Sequence, residues 1–303
     1  MEKVCAVIVT YNRVTMLKKC LDSLKQQTVS CDILVIDNDS TDSTAEYLAK
    51  RDDIINIRLD KNLGGAGGFN KGLRKAVELG YDYFWLMDDD VIPDSEALEK
   101  LLLADKILDG NYGWLSSVPL WTDGNGCRMN KHKLSGEFYD NIGLLKYGLF
   151  RANQATFVGL FIRRATVLSA GLPIKEFFIW GDDIEFTRRI AVRMGIPSYI
   201  AGQSIVTHAM KDNNGSNIAR DGVERLSRYN YAYRNENYLY RKEGIKGFCY
   251  YFAKCGKNIV CSLFLAKDHR FKRIGIIMKQ FFAGLFFNPK VELIEDEKHR
   301  NQQ

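Results

Sequence analysis

The stretch Tyr83-Phe84-Trp85-Leu86-Met87-Asp88-Asp89-Asp90 decides the reading of this chain. An aromatic and aliphatic run, the length of a buried central strand, ends abruptly in three carboxylates. Adjacent acids repel one another, so stability alone would not collect them at the mouth of such a strand. A divalent cation removes that repulsion, and hard oxygen ligands suit Mn2+ or Mg2+. In open α/β sheets, ligands sit beyond the carboxyl ends of the strands, where this cluster falls. The competing reading is a solvated acidic turn ahead of Pro93.

Upstream, strand and helix patterns alternate. Strands are predicted over residues 4–10, 33–36 and 54–59, with 83–87 as the fourth. Residues 14–27 have helical periodicity through Met16, Leu17, Cys20, Leu21 and Leu24. A second helix follows Ser43 and Glu46, which stand at capping-box spacing. The loop Asn62-Leu63-Gly64-Gly65-Ala66-Gly67-Gly68 is predicted to feed a third helix over 69–79. This order implies a parallel sheet joined by crossovers. Further on, strands are expected at 114–119 and 157–162, loops over 123–147, and a helical pattern within 180–194 that Gly195 ends. Helices resume from about Arg220.

With 303 residues, 46% hydrophobic and 26% charged, the composition is that of an ordinary globular protein. The chain runs almost at once into its first strand, so no secretory leader is expected. Seven cysteines without paired spacing point to buried reduced thiols, not a disulfide framework or a zinc site. The net charge of +6 is uneven: between residues 241 and 290, Lys and Arg outnumber Asp and Glu by 11 to 2. That segment interleaves cations with aromatic runs, yet no stretch reaches the roughly 20 apolar residues of a spanning helix. An interfacial helix on anionic lipid is expected; the alternative is a packed helical hairpin with a basic face in water. Two acidic clusters beside the cleft argue against nucleic acid as a partner of the main domain.

Four more motifs could carry chemistry. Thr10, Tyr11 and Arg13 end the first strand, where they could hold a base and a phosphate. Asp37 ends the second strand and could accept hydrogen bonds from a base or ribose; an Asx-turn is the plain alternative. The glycine-rich segment permits positive φ and close backbone approach, and helix N-termini favour anions. It has neither Rossmann nor Walker A spacing. Trp180-Gly181-Asp182-Asp183-Ile184-Glu185-Phe186 offers a general base and an indole for a sugar face, or merely acids at a helix N-terminus. His208 is a metal ligand only if the fold carries it to Asp90.

In order along the chain, these residues resemble the family-2 glycosyltransferases of the GT-A fold. The resemblance rests on Val9-Thr10-Tyr11-Asn12-Arg13, Val35-Ile36-Asp37-Asn38, the glycine-rich segment with Asn70 and Gly72, the Asp triplet, the Asp-Asp-x-Glu segment and the distal His. It implies a Rossmann-like α/β domain with a mixed, mainly parallel sheet between helices, then a C-terminal helical extension. The expected division is a catalytic domain over 1–218 (nucleotide-sugar half 1–120, acceptor half 121–218) and a basic, aromatic region over 219–303. By the same resemblance, Asp88, Asp90 and His208 hold Mn2+ or Mg2+, and Asp183 is the catalytic base. Trp180, Asp182 and Glu185 meet acceptor or donor. Thr10, Tyr11, Arg13, Asp37, Asn62, Gly64, Gly65 and Asp89 meet the nucleotide. Many members carry an acid where this chain has Asn38.

Within the family, the glycine-rich and Trp-Gly-Asp-Asp segments look most like galactofuranosyltransferases, with bacterial rhamnosyltransferases the rival. The resemblance implies an inverting enzyme using a UDP-linked sugar and a glycan or lipid-linked acceptor; the basic, aromatic tail adds an expected peripheral place at the cytoplasmic face of the cell membrane. A catalytically inactive glycan-binding scaffold is the reading from another class, and the intact Asp88, Asp90 and Asp183 argue against it.

Overall fold

The computed structural model describes residues 2–294. Its first half is an alternation of β1 (Val4–Thr10), α1 (Val14–Lys25), β2 (Asp32–Asp37), α2 (Thr44–Ala49), β3 (Ile55–Arg58), α3 (Gly64–Glu78) and β4 (Tyr83–Asp88). These four strands pair in parallel, in the order β3-β2-β1-β4. Their side chains alternate between two cores. Val4, Ala6 and Ile8 face Leu17, Cys20, Leu21 and Leu24 of α1, whereas Cys5, Val7 and Val9 face Phe69, Leu73, Ala76 and Val77 of α3. A strand buried on both faces must be apolar throughout, which is why β1 and β4 read as continuous hydrophobic runs.

After β4 come β5 (Val91–Pro93), α4 (Ala97–Ile107), β6 (Leu115–Leu120), β7 (Lys133–Leu134), β8 (Leu149–Gln154), β9 (Val158–Arg163), α5 (Arg164–Ala170), α6 (Asp182–Arg188) and β10 (Tyr199–His208). The sheet continues from β4 through β9, β6, β10, β8 and β7. The strand β9 lies antiparallel between β4 and β6, so the sheet is mixed as well as mainly parallel. The short β5 pairs antiparallel with β10, setting Val91 opposite His208. That pairing folds the end of β10 back over the acid triplet.

Two local expectations are corrected. The glycine-rich segment is the first turn and a half of α3, not a loop before it. Glycine is a poor helix former, but close packing against β1 outweighs that here. A Cβ on Gly68 would lie 2.5 Å from Val9 Cγ1, and one on Gly72 would lie 2.5 Å from Val7 Cγ1. Ser43 makes no capping bond through its side chain. Asp42 does so instead, its Oδ1 accepting from the Thr44 amide at 2.9 Å.

The chain ends in α7 (Leu226–Lys242), α8 (Gly244–Leu265) and α9 (Arg270–Phe286). These three helices share a core of Tyr229, Tyr233, Tyr240, Tyr251, Cys255, Ile276 and Ile277, against which Trp180 and Ile184 also pack. Arg188 of α6 forms a two-pronged ion pair with Glu243, both bonds at 2.7 Å. Glu292 then returns to α3, where it pairs with Arg74. The helices are thus joined to the sheet and its flanking helices at several points. The expected C-terminal region runs on to 303, and its residues 295–303 lie outside those described.

Candidate active site

Parallel order brings the carboxyl ends of β1, β2 and β4 to one edge of the sheet. Thr10 at the end of β1 donates its hydroxyl to Asp89 Oδ2 at 2.7 Å. Arg13 forms an ion pair with Asp90 and approaches Asp89 Oδ1 at 3.6 Å. From the far end of β10, His208 Nε2 lies 3.0 Å from Asp90 Oδ1. The other ring nitrogen, Nδ1, is 2.8 Å from Asn130 Oδ1. A carbonyl oxygen only accepts, so Nδ1 carries the proton and Nε2 is turned to the acids.

Asp88, Asp90 and His208 each offer a ligand atom, and these atoms lie within 4.8 Å of one another. Two carboxylates and an imidazole suit Mn2+ or Mg2+. The electrostatics of the cluster agree. Burial, then the neighbouring Asp90, push Asp88 up to about 7, and burial raises Asp89 to about 6. Burial alone would raise Asp90 too, but bonds and charges from His208 and Arg13 hold it below its ordinary range. Burial disfavours the charged form of His208, yet its bond to Asp90 lifts it to about 10. A proton on Nε2 therefore stands where a bound cation would take the lone pair. The set fits the ion.

The second acidic segment opens α6. Asp183 is near enough to Asp88 to add to its upward shift, which puts the second acidic segment close to the first. Burial pushes Asp183 up to about 6. Asp182 beside it is buried and held well above the ordinary carboxylate range by burial and Asp183. Two like charges side by side separate their titrations, which leaves Asp183 the easier to ionise.

Glu185 is a correction. It is fully buried and bonded to Arg189 at 2.8 Å and Arg193 at 3.2 Å, so it is closed to acceptor and donor. The signal was in the sequence: Glu185, Arg189 and Arg193 stand at four-residue spacing, the i,i+4 pattern of a helical ion pair.

The expected nucleotide residues lie further along the same edge. Asp37 is buried; its Oδ1 accepts from the Ser40 amide at 2.9 Å, while Oδ2 is buried without a partner. Asn38, where an acid is usual, clamps the start of α3: its Oδ1 accepts from Leu63 N and its Nδ2 donates to Gly64 O, both at 2.8 Å. Asn62 Oδ1 accepts from Gly64 N at 2.7 Å. Gly64 has φ of 72°, and a Cβ there would strike the Phe178 carbonyl. That contact seats the loop ahead of α6 on α3. Gly65 has open space beside its Cα, and Tyr11 is exposed at the rim.

Sequence reasoning expected a helix here but missed the part α7 plays at the site. Its Asn235 is fully buried and donates Nδ2 to the carbonyls of Phe177, Ile179 and Trp180 at 2.9, 3.3 and 2.9 Å. Trp180 meets Tyr229 edge-on, with Arg225 and Arg228 over its ring. Nothing in the local sequence of α7 marks these roles.

A parallel α/β edge with an Asp-x-Asp cluster and a second acid before a short helix defines a GT-A glycosyltransferase. The chain belongs to glycosyl transferase family 2, whose family model matches residues 5–150. It is 30% identical over 274 residues to galactofuranosyltransferase GlfT1 of Mycolicibacterium smegmatis, spanning 81% of this chain and 85% of that relative. Another relative, dTDP-rhamnosyl transferase RfbF of Shigella flexneri, is 26% identical over 80% of this chain and 82% of its own. Among solved structures, GalNAc-T7 with UDP, GalNAc and Mn2+ superposes with a TM-score of 0.64 at 14% identity, covering 94% of this chain and 56% of that one. That likeness concerns the fold.

Proposed function

We propose that this glycosyltransferase moves galactofuranose from UDP-galactofuranose to a hydroxyl of a cell-surface glycan or lipid-linked acceptor, with inversion. The observation that carries the reading is the meeting of Asp88, Asp90 and His208, with Asp183 near enough to act on Asp88 electrostatically. The unpartnered Asp37 Oδ2 supports a uracil-bearing donor, since a buried acceptor without a donor is costly and a base N–H would satisfy it. The galactofuranose assignment leans on the relative from Mycolicibacterium smegmatis.

Asp88, Asp90 and His208 would hold Mn2+ or Mg2+, which neutralises charge gathering on the leaving diphosphate. Thr10 and Arg13 orient Asp89 and Asp90 through the bonds described above. Asp183 takes the proton of the acceptor hydroxyl; the oxygen attacks the anomeric carbon as the bond to the diphosphate breaks on the opposite face. No enzyme nucleophile takes part. Asp182, whose burial beside Asp183 favours its protonated form, is suited to donate a hydrogen bond to a sugar oxygen. The rhamnose reading keeps the same steps with a dTDP donor, and the relative from Shigella flexneri favours it. A donor panel with Mn2+ separates the two. UDP-galactofuranose should be consumed faster than UDP-galactopyranose or dTDP-rhamnose, and preference for dTDP-rhamnose would reverse the assignment.

The tail fits an anionic membrane surface. Ile245, Phe252, Phe264, Phe271, Phe282 and Phe286 are exposed on α8 and α9, Phe271 by 84% and Phe286 by 88%. Lys246, Lys257, Lys267, Arg270, Lys272 and Lys279 stand among them, with Asp268 the one acid between residues 244 and 286. A second copy of so basic a face would be repelled, whereas anionic lipid offers both acyl chains and opposite charge. No helix among the described residues is long and apolar enough to cross a membrane. We place the enzyme at the inner face of the cell membrane on this basis.

A further inference from the structure

Trp180 sits in the left-handed backbone region at φ 62°, two residues before Asp182. A non-glycine residue there is strained, and such strain persists where the surroundings over-determine it. Asn235 of α7 does so through its three bonds to the loop carbonyls. The indole is held edge-on by Tyr229, with ring centroids 5.1 Å apart. Over the same indole stand two cations from the start of α7, Arg225 at 5.6 Å and Arg228 at 5.9 Å from the ring centroid.

The charges there do not balance. Arg13, Arg188, Arg189 and Arg193 in the catalytic half each have a carboxylate partner. Arg225 reaches Asp221 only at 3.6 Å, and Tyr229 already donates to the same oxygen at 2.7 Å. Arg228 has no carboxylate within ion-pair distance among the described residues. It is also near enough to Arg225 and Arg13 that, after burial, their repulsion lowers its pKa. Arg13 in turn touches the acid triplet. Arg225 also reaches Met129 Sδ at 3.6 Å, one residue from the Asn130 that bonds His208, so the cations stand near the metal cluster, and an anion beside them would relieve the repulsion.

We propose that Arg228 and Arg225, laid on the Trp180 ring, form a binding site for a phosphate or diphosphate group beside the metal cluster. The guanidinium forks suit phosphate oxygens, and the indole face keeps them flat and aimed. This rests on the sugar-nucleotide reading of the cleft. The group has two sources, the diphosphate of the donor and the phosphate of a lipid-linked acceptor. In either case α7 supplies the anion site and also positions the loop that carries Asp183.

Calorimetric titration of the full chain with UDP, uridine, inorganic diphosphate and dodecyl phosphate tests it. Arg228→Gln should weaken at least one anion by about tenfold or more, as loss of a charged hydrogen bond does. Uridine should be unaffected, and Arg228→Lys should recover part of the loss. Arg220→Gln, which removes a nearby surface charge, should leave all four alone. Weakening of UDP and inorganic diphosphate assigns the site to the donor; weakening of dodecyl phosphate alone assigns it to the acceptor. Unchanged affinity for every anion in Arg228→Gln overturns the proposal, as does a wild type that binds none. Failure of the nucleotide reading shows separately, as a wild type that binds inorganic diphosphate but neither uridine nor UDP.

Discussion

Asp90 and His208, 118 positions apart in sequence, meet at 3.0 Å between Oδ1 and Nε2. Three features make that meeting: the turn from β4 into β5, the antiparallel pairing of β5 with β10, and Asn130 holding the imidazole from behind. Each carries its residue to the point where two strands end, where a cation would join both halves of the sheet.

Asp183 gives a pH dependence with two opposite signs. As the base it works ionised, so turnover should rise with pH and reach half its plateau near its value of about 6. For stability the sign reverses. The native carboxyl keeps its proton up to about 6, whereas an unfolded Asp loses it near 4. Stability is thus fullest at low pH and is lost as pH rises through 6. Asp183→Asn should lower turnover by about 10²- to 10⁴-fold. It should also raise stability at pH 7.5 by about 1 kcal/mol. Near-wild-type turnover in a pH–rate profile of this variant would move the base elsewhere.

Glu185→Ala should unfold the protein more readily without touching the chemistry. Removing the carboxylate strands Arg189, itself buried, and breaking a buried pair costs about 3–5 kcal/mol. Urea melts should show that loss, while uridine affinity per folded molecule stays unchanged. Wild-type stability with abolished turnover would return Glu185 to the reacting groups.

Much of this was legible because β1, β2 and β4 are apolar on both faces and end in the residues that matter. The burial that makes the sheet parallel also writes the strands plainly in the sequence. The start of α3 was not legible: Gly64 to Gly68 read as a loop by propensity, and the contacts with Val9 and Phe178 that override it are tertiary. Glu185 looked like a third acid of a reactive cluster until Arg189 and Arg193 were seen to neutralise it. Asn235 and Arg228 carry no motif, and only the packing of α7 on the catalytic loop reveals them.

The glycines of α3 should therefore separate packing from binding. Gly72→Ala drives a Cβ into Val7 on the central strand and should cost about 1–3 kcal/mol in thermal melts. Gly65→Ala meets nothing within 4 Å and should stabilise the helix by up to about 1 kcal/mol. The same variant should weaken UDP, since the family resemblance sets Gly65 at the nucleotide. Unchanged UDP affinity would take Gly65 out of the nucleotide site.

Membrane docking is best tested by point variants. Removing α8 would uncover Tyr233 and Tyr240 of α7, which pack on its Tyr251. Phe271→Ser with Phe286→Ser should cut co-sedimentation with anionic vesicles at low salt, and high salt should weaken the wild type. Wild-type protein that ignores such vesicles at low salt would leave α8 and α9 as a water-facing hairpin.

The most direct measurement is UDP affinity by calorimetry with and without Mn2+, in the wild type and in Asp90→Asn. A cation held by Asp88, Asp90 and His208 must couple to the diphosphate, so Mn2+ should tighten UDP by about tenfold or more in the wild type. In Asp90→Asn that enhancement should vanish while the affinity for uridine remains. Equal UDP affinity with and without Mn2+ in the wild-type protein would contradict the account.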